Sequence, residues 1–368
     1  MTVAVPKLPS AGARQSRIER QLIVEANKAE GFGKPLAAML MRGLVRTVPQ
    51  VGELARLVEV WPGDLAADAV TFRLSAGLHA LARSGRAPGL AFLYSEAGDE
   101  PLPDDATFDR ALLAALETHT AELGQWIARP TQTNEVARVA GLIAVLMALN
   151  TREAMPFEVL ELGASAGLNL NFPHYACHVG DAVAMAPDSP VVLAPEWRGQ
   201  MPAVRDVAVL HTRGVDLTPL DPVNPDHCAR LESYVWPGEM QRARRLAAAI
   251  ALARRHPPSV ERGHAGEWLE GALAGPQLPG VRRVVFHSMV MQYADPFERA
   301  AIDAALAKAG AVATQECPLV RISMEWRADR RAVELRVTTW DGGADAGTAR
   351  LAAHCHPYGE WIEWFGLA

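Results

Sequence analysis

Four alternate positions carry the chemistry this chain offers first. Behind the apolar run Phe157–Leu160 stand Glu161, Gly163, Ser165 and Gly167, separated by Leu162, Ala164 and Ala166. A strand that ends in an acid and turns on glycines into a helix presents backbone N–H groups and a helix N-terminus to a ligand. The glycines let that ligand approach the backbone closely. The acid accepts hydrogen bonds from a ribose or an ammonium group. The same residues read Gly-x-Ser-x-Gly, the pattern of a hydrolase nucleophile elbow between strand and helix. They do not read Gly-x-Gly-x-x-Gly, and no Gly-x-x-x-x-Gly-Lys is present, which excludes a phosphate-cradling P-loop at this point. Small residues at 163–167 also suit a turn that only packs a strand closely on a helix.

Further polar residues follow apolar runs later in the chain. Asp216 ends "TRGVD" and precedes Thr218 and Pro219. His264 and Ala265 follow "SVERG". His287 and Ser288 end "VVFHS", with Gln292 and Tyr293 a turn further on. In an open α/β sheet, ligands sit at the carboxyl ends of the strands, where all these residues would lie. Histidine side chains in general suit proton transfer near neutral pH, which makes His287 the candidate base. Gln292 and Tyr293 are placed to orient an acceptor. In a hydrolase, Ser165 would need His287, His354 or His356 as base and an acid such as Asp216. Upstream, "TQTNEVAR" opens an apolar helix. Thr133 or Asn134 suits its cap, and Glu135 suits its positive end. Gln132, Asn134 and Glu135 also offer polar groups to a substrate. Glu196, Trp197 and Arg198 are positioned either to close over a substrate or to form a surface hairpin with Trp197 tucked inward. His354-x-His356 and the pair His174 and His178 lack a third ligand nearby, so no metal site is expected.

The elements that position these residues divide the chain in two. Residues 1–150 read as helices with apolar positions at helical spacing, separated by turns at Trp61–Asp64, Gly85–Gly89 and Gly98–Asp105. From 151 to 368, strands alternate with helices. The strands are "FEVLELG", "SPVVLAPEW", "VRDVAVLHTRGVDL", "PSVERGHA" and "VRRVVFHSM", then three late ones, "PLVRISMEW", "AVELRVTTW" and "ARLAAHCHPYGEWIEWF". A long helix across Asp226–Arg255 is interrupted near Pro237-Gly238. "GEWLEGALAG" and "DPFERAAIDAALAKAG", ended by Gly310, supply two more. Alternation implies a parallel, doubly wound sheet, and consecutive late strands imply an antiparallel edge.

With 368 residues and 49% apolar composition, one large domain or two can bury a substantial core. The formal charge is -6 and no Lys/Arg block stands out. Arg242, Arg244, Arg245, Arg254 and Arg255 fall at helical spacing and read as a solvated face, so no nucleic-acid footprint is indicated. Four cysteines without a Cys-x-x-Cys pair suit a reducing cytoplasm. The start lacks the apolar core of a signal peptide. "VARVAGLIAVLMALN" is too short to span a bilayer and reads as a buried helix.

The order of strand ends resembles class I S-adenosylmethionine-dependent methyltransferases. "ELGASAG" is similar to the acidic-Gly-x-Gly-x-Gly turn, with Ser165 replacing the middle glycine. "GVDLTP" is similar to the second-strand motif, and "RGHA" to the third, with His264 in place of an acid. The resemblance implies a seven-stranded Rossmann-like methyltransferase sheet with an N-terminal all-helical domain. It also implies S-adenosylmethionine held by Glu161, Gly163, Ser165, Gly167, Asp216, His264 and Ala265, and a small-molecule acceptor near Asn134, Glu135, Glu196 and Arg198. Gly167 and Asp216 are 49 residues apart, so an inserted hairpin near 174–205 is expected beside the site. Asp181 and Glu196 then rival Asp216 for the ribose. More narrowly, "QTNE", "ELGASAGLNL", "PEWRG", "RGVDLTP", "FHSMVMQY" and "HPYGEWIEW" resemble the bacterial family called domain of unknown function 2332. The other readings are a non-catalytic protein binding a nucleotide-like ligand or acting as a scaffold, and a serine hydrolase using Ser165.

Overall fold

The computed structural model describes residues 15–95 and 102–367. The first residues of the turn expected at Gly98–Asp105 lie outside these. The chain forms two compact units. One runs to Thr131 and takes in Ser233–Met240; the other comprises Gln132–Glu232 and Gln241–Ala368.

The first unit is helical throughout its described residues. It holds α1 (Arg17–Gly31), α2 (Pro35–Thr47), α3 (Gly52–Glu59), α4 (Val70–Arg83), α5 (Pro88–Ser95), α6 (Asp105–Thr118) and α7 (Thr120–Ala128). Ser16 and Glu19 form a reciprocal capping box at the start of α1, and Asp104 caps α6. Such caps satisfy donors that the first helical turn leaves unpaired. Leu22, Leu40, Leu54, Leu74, Phe108 and Leu112 lie in one apolar core. Tyr234 and Trp236 join this unit through the Phe72 ring, with centroids 5.2 and 5.4 Å away.

The division falls earlier than residue 150. Helix α8 (Val139–Leu149) was expected with the helical half but belongs to the second unit. It is apolar on every face and packs against the sheet strands named below as β9 and β11. A helix without a polar face needs cover all round, and the sheet supplies it.

The second unit is built on a nine-stranded sheet, not seven. Its strands are β1 (Phe157–Leu162), β5 (Glu196–Gly199), β6 (Val209–Asp216), β7 (Val260–Arg262), β8 (Arg282–Ser288), β9 (Leu319–Trp326), β10 (Val333–Trp340), β11 (Ala349–Cys355) and β12 (Trp361–Trp364). Their order is β5-β12-β11-β10-β9-β8-β1-β6-β7. The five from β7 to β9 are mutually parallel. Beyond β9 the sheet becomes an antiparallel meander, and β5 closes that edge parallel to β12. Two strands more than expected arise because "HPYG" folds the last stretch into β11 and β12, and because "EWRG" pairs with β12.

Strands β1 and β8 are buried along their whole length. Continuous burial is what coverage of both faces of a parallel sheet requires. Glu158 and Arg283 inside this region are paired. Glu158 Oε2 accepts from Arg283 Nε at 2.7 Å and Oε1 lies 2.9 Å from His211 Nε2. Helices α11 (Ala265–Ala274) and α12 (Pro296–Gly310) cover one face, with Leu269, Ile302 and Leu306 against Leu160 and Val285. Gly310 does more than end α12, since a Cβ there would stand 2.4 Å from Trp340 Cδ1. The expected long helix is two, α9 (Pro225–Ser233) and α10 (Met240–Ala253). The insertion after β1 is a small sheet of β2 (Ala176–Val179), β3 (Ala182–Met185) and β4 (Val192–Leu193).

The loop joining β11 to β12 fixes one further approach. Gly359 adopts φ 70, and a Cβ there would lie 2.6 Å from the carbonyl carbon of Ala137. Left-handed backbone and a backbone clash therefore both oppose a side chain. Replacing Gly359 with Ala is expected to destabilise the fold by roughly 2–4 kcal/mol, read by urea denaturation. An unchanged midpoint would show that this loop does not press on Ala137.

Candidate functional site

The turn after β1 is held in left-handed conformation at three alternate residues: Gly163 (φ 68), Ser165 (φ 54) and Gly167 (φ 69). It leads into a 3-10 helix, Leu168–His174, rather than an α-helix. The two glycines meet protein, not open space. A Cβ on Gly163 would lie 2.5 Å from Val290, and one on Gly167 2.6 Å from Pro258 and Val260. On β6, a Cβ at Gly214 would lie 2.7 Å from Ala164 Cβ. Close packing thus accounts for each small residue.

Ser165 carries a side chain where such backbone disfavours one, at about 1–2 kcal/mol. Two hydrogen bonds offset this. Its Oγ donates to Gln132 Oε1 at 2.6 Å and its N–H donates to Asp216 Oδ2 at 2.9 Å. Asp216 Oδ1 accepts from Thr218 N at 2.8 Å and from Gln132 Nε2 at 3.4 Å. The Asp216 carboxylate is therefore largely engaged in tying the ends of β1 and β6 together.

Glu161 is different. It is 2% exposed, and its Oε1 accepts from Asn169 Nδ2 at 2.8 Å. Glu161 Oε2 and Asn169 Oδ1 are buried without a hydrogen-bond partner. Burial pushes the Glu161 carboxyl up to about 8; Asn169 and Arg138 oppose the shift, and Asp216 adds to it. At neutral pH the group is mainly protonated. An unsatisfied buried carboxyl oxygen is rare in folded proteins and marks a place where a hydrogen-bond partner is missing.

The segment Gln132–Arg138 grips this turn from the other side. Asn134 Oδ1 accepts from Leu168 N at 3.0 Å, so Asn134 caps the 3-10 helix rather than its own. Glu135 caps its own segment through Ala137 N at 3.2 Å. Its two oxygens also accept from Arg242 Nε at 2.7 Å and Arg245 Nη2 at 3.1 Å. Burial opposes its ionisation, but Arg242, Arg245 and Arg138 outweigh burial and hold the carboxyl at about 2. Two arginines read as part of a solvated face thus point inward, while Arg244, Arg254 and Arg255 remain exposed. Arg138 Nε donates to Pro357 O at 2.8 Å, and the Arg242 guanidinium lies 4.0 Å from the Tyr358 ring centre.

The remaining expected residues scatter. His287 is fully buried, with Nδ1 2.7 Å from Glu325 Oε1 and Nε2 accepting from Arg321 Nε at 3.1 Å. That network assigns the proton to Nδ1. Both ring nitrogens brace β8 against β9, and neither is open to a substrate. Gln292 Nε2 donates to Met289 O at 3.2 Å, and Tyr293 beside it is exposed. His264 precedes α11, exposed, with Nδ1 3.6 Å from Glu298 Oε2; Ala265 is the first residue of α11. Glu196 and Arg198 pair with each other on β5, and Arg198 stacks 4.5 Å from the Trp361 ring centre. Five strands separate β5 from β1, a distance of roughly 29 Å at sheet spacing. They do not converge with Glu161 and Asp216. Trp197 Nε1 donates to His178 O at 2.8 Å, which makes this a surface hairpin contact. Among the described residues no cluster of three or more His, Cys, Asp or Glu suits a metal ion, and no helix is long and apolar enough to cross a membrane.

Sequence reasoning missed Arg138, Asn169, Arg242 and Arg245. Their signal was present: Arg138 closes "TNEVAR", and Asn169 stands two residues after Gly167.

The family model described as "Uncharacterized protein conserved in bacteria (DUF2332)" matches residues 19–364. The chain belongs to this family. The match takes in "QTNE", the β1 turn and "HPYGEW", the segments that meet around Glu135 and Arg138. No curated protein matches the chain.

Glu161 and Glu135 set opposite pH dependences. The unfolded-chain carboxyl ionises near 4.5, whereas folded Glu161 holds its proton to about 8. Stability is therefore lost as pH rises from about 4.5 to 8. Glu161→Gln is expected to cancel that loss, stabilising the protein at pH 8 by roughly 4 kcal/mol relative to its effect at pH 4. Folded Glu135 ionises at about 2, so its contribution is present above about 4.5 and lost as pH falls toward 2. Urea melts of both proteins across this range read the difference; parallel pH curves would contradict it.

Proposed function

We propose that the sheet unit binds S-adenosylmethionine at the carboxyl ends of β1 and β6 and transfers its methyl group to a small-molecule acceptor. The observation that carries this reading is the buried, unsatisfied Oε2 of Glu161. It ends the strand at which the chain reverses direction across the sheet: β6 and β7 build outward on one side of β1, β8 and β9 on the other. Ligands of open α/β sheets bind at such a switch point. A hydroxyl can pair with the neutral Glu161 Oε2, and an ammonium can pair with it once the carboxyl ionises; the Ser165 hydroxyl and the remaining acceptor capacity of Asp216 border the same turn.

S-Adenosylmethionine, when bound, supplies an electrophilic methyl group. What the chain contributes is position and exclusion of water, the main levers of an in-line displacement. Gln292 and Tyr293, just past β8, are the acceptor-orienting candidates. His287 is not assigned as base, because both its nitrogens are committed to Arg321 and Glu325.

A non-catalytic binding role is the second reading. The observation that favours it is the engagement of Asp216 by Ser165 N, Thr218 N and Gln132. The hydrolase reading is not carried forward. Ser165 Oγ donates to the amide oxygen of Gln132, which takes up no proton, and no imidazole bonds to it among the described residues.

Calorimetric titration with S-adenosylmethionine and S-adenosylhomocysteine tests the proposal. Micromolar binding is expected, weakened about tenfold or more in Glu161→Gln, a loss of about 1.4 kcal/mol. An intact, folded protein that binds neither compound would overturn it. A fluorophosphonate probe is expected to leave Ser165 unlabelled.

A further inference from the structure

Arg138 is 8% exposed, and Nε to Pro357 O is the only hydrogen bond of its side chain among the described residues. Its two terminal nitrogens therefore bond to none of the described residues. The carboxylate with the strongest pull on it, Glu135, already accepts from Arg242, Arg245 and Ala137 N. The other groups that act on it are Tyr358, Tyr293 and Arg242, and its own charge reaches the largely protonated Glu161. Burial lowers its pKa, as expected for a guanidinium short of a counter-ion. A buried cation is strongly disfavoured unless an anion and hydrogen bonds complete it.

We propose that Arg138 receives a carboxylate of the protein's small-molecule ligand through its two unpartnered terminal nitrogens, beside Tyr293, Tyr358 and Glu161. The guanidinium edge presents two parallel N–H donors that match a carboxylate in a bidentate pair. One fork with one open edge suits a planar monoanion. A phosphate group generally calls on several cations or a run of backbone donors. The anchoring of Nε on Pro357 fixes the direction of that edge without using it. The placement also explains why the "HPYG" loop clasps Ala137: it orients the guanidinium. On the methyl-transfer reading this carboxylate belongs to the acceptor, and that assignment rests on the reading; binding of a carboxylate at Arg138 does not.

Acetate and its neutral isostere acetamide, titrated into the full chain at constant ionic strength, test the site. Acetate is expected to raise the melting temperature saturably, and acetamide to leave it unchanged. Arg138→Met should abolish the acetate response. Arg138→Lys, which keeps the charge and guards against a variant that fails to fold, should weaken it about tenfold. Equal responses to acetate and acetamide, or an acetate response retained in both variants, would overturn the proposal. So would saturable stabilisation by inorganic phosphate with none by acetate. S-Adenosylhomocysteine affinity unchanged in Arg138→Lys supports the acceptor assignment; a tenfold loss transfers Arg138 to the donor's own carboxylate and overturns it. If the intact protein binds acetate at Arg138 but no S-adenosylhomocysteine, the methyl-transfer reading fails and the carboxylate site stands.

Discussion

The carboxylate of Glu135, out of water and held by Arg242, Arg245 and the Ala137 amide, is the interaction on which the carboxyl edge of the sheet depends. A carboxylate in such surroundings persists only where its partners are complete. That requirement ties α10 to the segment that begins the sheet unit. The same segment sends Gln132 to Ser165 and Asp216, and Asn134 to the first N–H after Gly167. Three polar side chains from four consecutive residues thus hold three different elements. The geometry at the ends of β1 and β6 follows from this clip more than from the glycines themselves.

The glycines answer a separate demand. Gly163, Gly167 and Gly214 each stand against a side chain that leaves no room for a Cβ. A small-residue turn can therefore be dictated wholly by packing, and its pattern alone does not argue for a ligand. What packing leaves unexplained is Glu161. A neutral apolar residue would fill its place without the penalty of an unpaired acceptor. Local rules broken without structural compensation concentrate at functional sites. The functional weight of "ELGASAG" therefore falls on its first letter.

Much of the architecture is legible in the sequence because its signals are local. Alternation of strand and helix identifies the parallel core, and consecutive late strands identify the antiparallel edge. The number of strands is not legible, because β5 and β12 are four residues each, and β5 gains its pairing only from β12. The inward turn of Arg242 and Arg245 is equally hidden. Helical spacing marks which residues share a face; it does not say that the face will meet a buried acid 107 residues away in the chain. His287 illustrates the converse. A histidine at a strand end is visible in sequence, but the Arg321 and Glu325 side chains that occupy its nitrogens lie on β9, and nothing local announces them.

Glu161 and Arg138 gain meaning when taken together. Each is buried, each has hydrogen-bonding capacity that the described residues leave unused, and the charge of Arg138 reaches Glu161. Were Glu161 ionised, it would serve Arg138 as counter-ion; its burial instead keeps it mainly neutral at pH 7. The two groups so remain separate claims on a ligand: a carboxyl whose free oxygen wants a hydrogen-bond partner, and a cationic fork that wants an anion. A ligand able to meet both carries an ammonium or hydroxyl at one end and a carboxylate at another, or else two ligands divide these roles. Methyl transfer between a donor and an anionic acceptor is the second case, which is why the two residues are assigned to different partners.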